Sequence, residues 1–476
     1  MHPVIPYRWS TDMVMAATGG RLLCGSRRLV FSGISIDSRT VSPDQLFVAL
    51  PGQRHDGHQF IADVVDRGIR GLVVSEAKIN TLPLDRIIGR QIACICVQDT
   101  LQALGAMARF NRRRAALSVL AITGSNGKTS TRMLTEKVLD QAFVTLATQG
   151  NFNTDIGLPL TLFRLGSVHQ AAVLELGMRA SGEIAYLGRI CEPDVGVITN
   201  VKPCHLERMG SMEAIARAKG ELLEVLSPKG VAVLNADDPS VRAMGEKFGG
   251  TVIWFGTDEN AQIRATAIRS TESGVSFTLK TPSGSLPVTL ATPARVMVEN
   301  ALAAAAAGVA LGLSPGQIQR GLELFEPQPG RMGIYFLPQE VRLLDDTYNA
   351  NPASMAAAID TLAGFRLRHG HPTVAVLGDM LELGDAAPDF HRQLGAQVAD
   401  LGIDRLFVTG AFADAVIEGA VSRNMPLSHI FKGDKSAIGA ELYQQMEKRS
   451  VILVKGSRTM AMEDVVEDIR RRADAS

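Results

Sequence analysis

The sequence has no surplus of either charge: Lys and Arg total 49, and Asp and Glu total 49. Such a surface gathers neither nucleic acid nor anionic lipid through its field, so any anionic ligand must be held locally. Cysteine is scarce, at five residues in 476. Cys24, Cys94, Cys96, Cys191 and Cys204 are odd in number and scattered, which argues against a disulfide framework and for buried thiols in a reducing cytosol. Cys94 and Cys96 stand two apart in an apolar run, where a strand turns both to one face. No apolar run is long enough to span a bilayer, the Ala-rich stretch 301–310 being too short. Residues 1–10 carry no charged segment followed by an apolar one, so no secretory signal is expected. Neither an internal repeat at a fixed period nor heptads occur, and the expectation is a cytoplasmic monomer with no nucleic-acid or membrane partner.

What is present is ordinary globular material, 46% apolar and 21% charged, in a chain too long for one hydrophobic core. Short apolar runs alternate with helical patterns, which predicts α/β layers with mostly parallel strands. A first block, 1–100, holds strand-like runs at 33–36, 46–50, 71–74 and 92–97. A helix pattern over 100–113 then ends in the basic stretch 111–114, read as a solvated connection. The second block, 101–327, opens on a buried-strand signature at 117–122 and continues with strands at 171–176, 195–199, 231–235 and 251–255. Helix-length segments between them predict a doubly wound sheet. Residues 263–290 alternate polar and apolar, as a small antiparallel appendage does. Helices follow at 296–313 and 314–325, with Ser314 as N-cap and Pro315 at the first helical position. Pro327, Pro329 and Gly330 break the pattern, and a third block, 328–476, repeats the α/β rhythm with strands at 341–345, 373–377, 405–409 and 450–454.

The string TGSNGKTS, running from Thr123 through Gly124, Ser125, Asn126, Gly127, Lys128 and Thr129 to Ser130, sits between the strongest strand and a helix pattern. Glycines let the backbone wrap an anion with its N–H groups, and the helix N-terminus adds a favourable dipole. Lys128 reaches terminal phosphates and the Thr129 hydroxyl suits magnesium. Ile122 stands where the common phosphate loop has its first glycine. The loop predicts a nucleoside triphosphate and says little about the reaction.

Glu175 and His205 lie where the same crevice is expected, and Lys219 is a third candidate. Glu175 ends the next long strand, and carboxyl ends of neighbouring strands share one crevice in a doubly wound sheet. A carboxylate there suits magnesium, a solvated strand edge being the common alternative. His205 follows the strand ending at Asn200, where a hydrogen-bonded loop histidine is the commoner reading. Lys219 lies on a helix among small residues; a desolvated amine has a lowered pKa and reacts with carbon dioxide to a carbamate, an anionic metal ligand.

Taken together, TGSNGKTS, LELGM (174–178), HLERMG (205–210), ARAKGELL (216–223), ENALAAAAAGVALG (299–312), PGRM (329–332) and DDTYNANPASM (345–355) resemble, in this order, the Mur ligase family, which builds the peptide of bacterial cell-wall precursors. The resemblance covers nearly the whole chain. DSRT (37–40) and FVALPGQRHDGHQF (47–60) look like that family's uridine-nucleotide-binding first domain. LGDMLELG (377–384) and VKGSRTMAME (454–463) are similar to its dipeptide-adding member, and the Asp-Asn-Pro-Arg string of the diaminopimelate-adding member is missing.

The resemblance implies an ATP-dependent ligase joining D-alanyl-D-alanine to UDP-N-acetylmuramoyl-tripeptide through an acyl phosphate. By the same resemblance Lys128 and Thr129 hold γ-phosphate and magnesium, with Glu175 as a metal ligand. His205 binds a second magnesium bridged by carbamylated Lys219. Asn300 contacts adenine, while Arg331 and Asp346 reach phosphate and ribose from the last block. Ser38 and Arg39 face uridine, Asn151 and Asn153 line the precursor side, and Tyr348, Asn349 and Asn351 sit near the nucleotide. Thr154 stands where a second Asn is common, and the stretch before Asn300 lacks a frequent His. Loops 379–382 and 455–458 are candidates for selecting the dipeptide. A folate polyglutamate ligase shares the ATP parts, and a phosphate-loop switch would hydrolyse ATP without an acceptor amine.

Overall fold

The computed structural model describes residues 5–52 and 55–474. Residues 1–4 of the amino-terminal stretch, and Gln53 and Arg54 within the 47–60 string, lie outside the described residues. Three larger sheets organise the chain. The first has five strands in the order Arg21–Cys24, Ala93–Val97, Gly71–Ser75, Leu46–Val48, Ile34–Ser35, all parallel except the antiparallel edge Arg21–Cys24. Cys94 and Cys96 do share a face, packing in one apolar cluster with Phe47 and Leu72. All five cysteines are free thiols, and burial pushes Cys94 up to about 12.

The central sheet has nine strands. Ser118–Thr123 lies between Ala171–Glu175 and Val195–Ile198, parallel to both. Thr145–Ala147 follows on one side; Val231–Asn235 and Thr251–Gly256 follow on the other. This is doubly wound order, with the chain reversing direction of growth at Ser118–Thr123. A strand covered on both faces must be apolar at every position, and the alternation is legible in the packing. Leu120, Ile122, Val173 and Val197 enter one core, whereas Val119, Ala121, Leu174 and Ile198 enter the other. The 263–290 segment is antiparallel as expected. It is not a separate appendage: Ile263–Ser270 pairs parallel to Thr251–Gly256 and carries Val275–Thr281 and Gly284–Leu290 as the sheet's edge.

The third sheet runs Gly333–Leu337, Val341–Asp346, Val451–Lys455, Thr373–Leu377, Arg405–Val408, Ile430–Lys432 and is parallel except for its first pair. The turn between Ile263–Ser270 and Val275–Thr281 reaches this domain. Glu272 Oε1 sits 2.8 Å from His371 Nε2, and its other oxygen pairs with Arg342. The core behind the central sheet also continues without a break into the third domain, from Phe325 and Met332 to Ala358 and Leu362.

The basic stretch at 111–114 is not a solvated connection. The helix Thr100–Arg114 runs through it. Arg109 and Arg113 pair with Glu192, and Arg112 donates to the carbonyls of Cys191 and Glu192. Those carbonyls are the unsatisfied end of helix Glu183–Cys191, so the arginines cap a helix C-terminus.

The helix after the phosphate loop, Lys128–Leu139, packs against Met297–Ala310 and Pro315–Glu323. Ala301 through Ala307 is fully buried, as a helix apolar on all sides must be. Ser314 caps the last of these helices in a reciprocal box with Gln317. Gly321 lies against the backbone of Val138, where a Cβ would stand 2.7 Å from Lys137 O and closer still to Val138 Cα. Gly321→Ala should therefore destabilise the chain by about 1–3 kcal/mol, read from urea unfolding. Unchanged stability would mean that the helices are free to separate.

Candidate functional site

Ser118–Thr123 ends at the switch point, and the chain turns through Gly124 (φ 149°) and Gly127 (φ 79°) before the helix begins at Lys128. Both glycines are sterically required. A Cβ on Gly124 would collide with the Thr199 hydroxyl, and one on Gly127 with the Asn300 amide oxygen. Asn126 is gripped from three sides. Its N–H donates to Asn200 Oδ1 (2.9 Å), its carbonyl accepts from Thr199 Oγ1 (2.6 Å), and its side-chain oxygen accepts from Asn351 Nδ2 (2.6 Å). Ser125 Oγ exchanges hydrogen bonds with the backbone of Lys202, 2.9 Å each way. Lys128 Nζ donates to Gly124 O at 2.7 Å and to Ser125 O at 3.3 Å.

Glu175 reaches this loop as its strand position requires. It is 2% exposed; its Oε2 accepts from Thr129 Oγ1 and its Oε1 from Asn153 Nδ2, both at 2.8 Å. A buried carboxylate beside a hydroxyl, at the phosphate end of a nucleotide loop, is the oxygen donor set magnesium takes. Among the described residues no group of three or more His, Cys, Asp or Glu could enclose a metal.

Lys219 is 1% exposed, on helix Met212–Glu224, and makes no hydrogen bond or ion pair among the described residues. Burial, and secondarily the charge of Lys128, lowers its amine to about 7, with Cys204 opposing. His205 precedes the short helix Leu206–Met209 with φ 54°, a left-handed conformation that costs a residue with a Cβ. Its Nδ1 meets Glu382 of the third domain. Burial lowers the His205 pKa, Glu382 opposes, and Lys128 and Lys219 lower it further.

A cleft of about 1250 Å³ joins these groups. Its central-domain wall includes the phosphate loop from Ser125, with Asn151, Asn153, Thr154, Glu175, His205, Lys219 and Asn300. Arg331, Asp346, Tyr348, Asn349 and Asn351 face them from the third domain. Arg331 stacks 3.9 Å over the Tyr348 ring. Asn300, 5% exposed, accepts from Thr131 Oγ1 at 3.3 Å. The Thr154 hydroxyl accepts from Gly157 N at 3.3 Å, at the start of helix Gly157–Leu162. Ser38 and Arg39 are not brought here: Arg39 forks onto Asp37 at 2.9 and 2.7 Å, and neither residue lines the cleft.

Sequence reasoning missed Thr199 and Asn200, which hold the loop from behind, and the pairing of Lys455 with Asp346. Thr199 and Asn200 carried a signal, since they follow a buried strand beside the loop. Lys455 Nζ is buried against Asp346 Oδ2 at 2.5 Å and Asn349 O at 2.8 Å, and neither residue predicts the other from sequence. Asp379, in the candidate loop 379–382, accepts from Ala411 N and Phe412 N at 2.8 and 3.1 Å.

The fold and site define a phosphate-loop nucleotide-binding protein whose cleft is completed by a second α/β domain. Family models described as "Mur ligase family, catalytic domain", "Mur ligase middle domain" and "Mur ligase, glutamate ligase domain" match residues 30–124, 122–308 and 330–458. A UDP-N-acetylmuramoyl-tripeptide–D-alanyl-D-alanine ligase of Escherichia coli (strain K12) is 38% identical over 445 residues, covering 92% of this chain and 93% of the relative. A crystal structure of MurF from Acinetobacter baumannii superposes with a TM-score of 0.89 at 34% identity, covering 98% of this chain and all of that one (100%). MurF ligase from Thermotoga maritima in complex with ADP gives 0.83 at 27% identity, covering 93% and 98%. The chain belongs to the Mur ligase family. No helix among the described residues is long and apolar enough to cross a membrane.

The uncompensated Lys219 amine has a consequence for stability. Its folded pKa, about 7, lies below the ordinary 10.5, so between those values the unfolded chain binds the extra proton. The cost of burial is therefore full below about pH 7 and fades as pH rises toward 10.5. In carbonate-free buffer Lys219→Met should raise the unfolding free energy near pH 7 by about 1–4 kcal/mol, with the gain shrinking in alkali. Loss of stability on this substitution would mean that the amine has an anionic partner.

Proposed function

We propose that the chain is an ATP-dependent ligase that joins D-alanyl-D-alanine to UDP-N-acetylmuramoyl-tripeptide, yielding the pentapeptide precursor of peptidoglycan with ADP and phosphate. One observation carries the reading: the phosphate loop, the Thr129–Glu175 pair and the unpaired Lys219 amine share one cleft that the third domain completes. The UDP-N-acetylmuramoyl-tripeptide–D-alanyl-D-alanine ligase and the MurF that match the chain nearly end to end support the same substrates.

Amide formation from a carboxylate needs a better leaving group than hydroxide. Transfer of the γ-phosphoryl of ATP to the tripeptide's terminal carboxylate supplies it, as an acyl phosphate. The neutral amine of D-alanyl-D-alanine attacks that carbonyl, and phosphate leaves from the tetrahedral intermediate. Placement and charge neutralisation do most of the catalysis in such a transfer. Lys128 is the cation for the γ-phosphate, and the loop N–H groups cradle the chain of phosphates. Asn300 is assigned to the adenine side, with Arg331 and Asp346 to phosphate and ribose; Asn151, Asn153 and Thr154 take the precursor.

Magnesium held by Thr129 and Glu175, with a second ion on His205 and carbamylated Lys219, would supply neutralisation of the transferring phosphoryl group. Carbamylation needs a neutral amine to attack carbon dioxide, and Lys219, at about 7, has one at neutral pH. The product replaces a cation beside Lys128 with an anion, which removes the repulsion between them.

We assign the first domain, 1–100, to the uridine end of the precursor through Ser38 and Arg39. Residues 101–327 take ATP, and 328–476 close over it and receive the dipeptide. The proposed setting is the cytoplasm, with the enzyme acting as a monomer on small molecules. Closure would exclude water from the acyl phosphate, and the Asn126–Asn351 hydrogen bond spans the two sides.

Phosphate release from ATP should require both UDP-N-acetylmuramoyl-tripeptide and D-alanyl-D-alanine, with the pentapeptide product found by mass. Release indifferent to both would replace the ligase by a nucleotide-driven switch. Lys128→Met should lower kcat/KM roughly 10²–10³-fold. Labelled bicarbonate should give a carbamate carbon resonance that Lys219→Met abolishes; an identical spectrum in the variant would remove the carbamate from the scheme.

A further inference from the structure

A second cavity, of about 390 Å³, shares no wall residue with the cleft. Its walls come from the phosphate-loop helix, the edge strand Thr145–Ala147 with the residues after it, and Gln328 of the linker to the third domain. Two guanidinium donors there have no partner among the described residues: Arg132 Nε and Arg164 Nη1 are both buried without a hydrogen bond. Arg132 is 5% exposed, so bulk water does not relieve it. Its Nη1 donates to Glu136 Oε2 at 2.8 Å, which leaves Nε without an acceptor although the charge of Glu175 also bears on the guanidinium. His169 Nδ1 accepts from Gly166 N at 3.1 Å, which leaves its proton on Nε2 as a further donor.

Buried donors of this kind are ordinarily paired, and an Arg fork is shaped for a planar or tetrahedral oxyanion. We infer that this cavity is an oxyanion site, built by Arg132 and Arg164 with His169 at its wall, for a carboxylate or phosphate group. Two sources share that chemistry: a carboxylate arm of the precursor, whose proposed contact Asn151 adjoins cavity residues Gln149 and Gly150, or free inorganic phosphate. Gln328 also lines the site. An anion there bridges the nucleotide-binding helix to the linker of the closing domain.

The probe is inorganic phosphate, titrated calorimetrically into the full chain already saturated with a non-hydrolysable ATP analogue, so that the phosphate loop is filled. The expected result is one saturable site that weakens at least tenfold in Arg164→Gln. Gln328→Glu, at an exposed position, brings a carboxylate to the wall without disturbing the core, and should weaken binding as well. Displacement of phosphate by UDP-N-acetylmuramoyl-tripeptide identifies the substrate's carboxylate as the occupant; additive binding of the two identifies the free anion. No saturable binding, or binding equal in wild type and both variants, overturns the site. The measurement involves no turnover, so its failure leaves the ligase reading untouched and failure of that reading leaves it intact.

Discussion

The close approach of the loop backbone to its neighbours is the constraint on which the rest depends. Gly124 presses on Thr199 and Gly127 on Asn300, so the loop's shape is dictated by a neighbouring strand end and by a helix far along the chain. That helix is buried on nearly every side by alanines. Alanine is the residue that allows a helix to sit close enough for its Asn300 to reach the loop, and larger side chains would lift it away. The fixed loop then presents Asn126 to Asn351, so its geometry also sets where the third domain comes to rest.

Around this rigid loop the charges are arranged against stability. The charge of Lys128 lowers the proton affinity of both Lys219 and His205 across a partly dry space, and Lys219 lowers that of His205 further. The nearby Glu175 is engaged by two neutral donors rather than by a cation. Such an arrangement persists because the surrounding cores are large and continuous, and it makes sense where anions are the ligand. Lys455 and Asp346 show the opposite solution in the facing domain, a buried pair that satisfies itself.

Much of this was legible in the sequence because buried parallel strands and glycine loops leave strong local marks. The strands at 118–123, 171–175 and 195–198 announced themselves by unbroken apolar runs, and their order placed Glu175 and His205 near Lys128. The antiparallel edges Arg21–Cys24 (RLLC) and Gly333–Leu337 (GIYFL) were passed over because they are only four and five residues long and largely half-buried, although their runs are apolar. The arginines at 111–114 read as solvent-facing because their partners, Glu192 and the carbonyls beside it, lie far away in sequence. The contacts of Glu382 with His205 and Asn351 with Asn126 were equally hidden, as they depend on how domains meet rather than on any local pattern.

The hairpin turn bearing Glu272 gives the molecule a mechanical property. The third domain is joined to the central one covalently through the linker at 326–332. It is joined again, at a distance in the chain, where Glu272 meets Arg342 and His371. Lifting the third domain from the central one therefore breaks the Glu272 pairs as well as the Asn126–Asn351 and His205–Glu382 contacts at the cleft. The hairpin thus acts as a strap that ties the edge of the central sheet to the domain facing it.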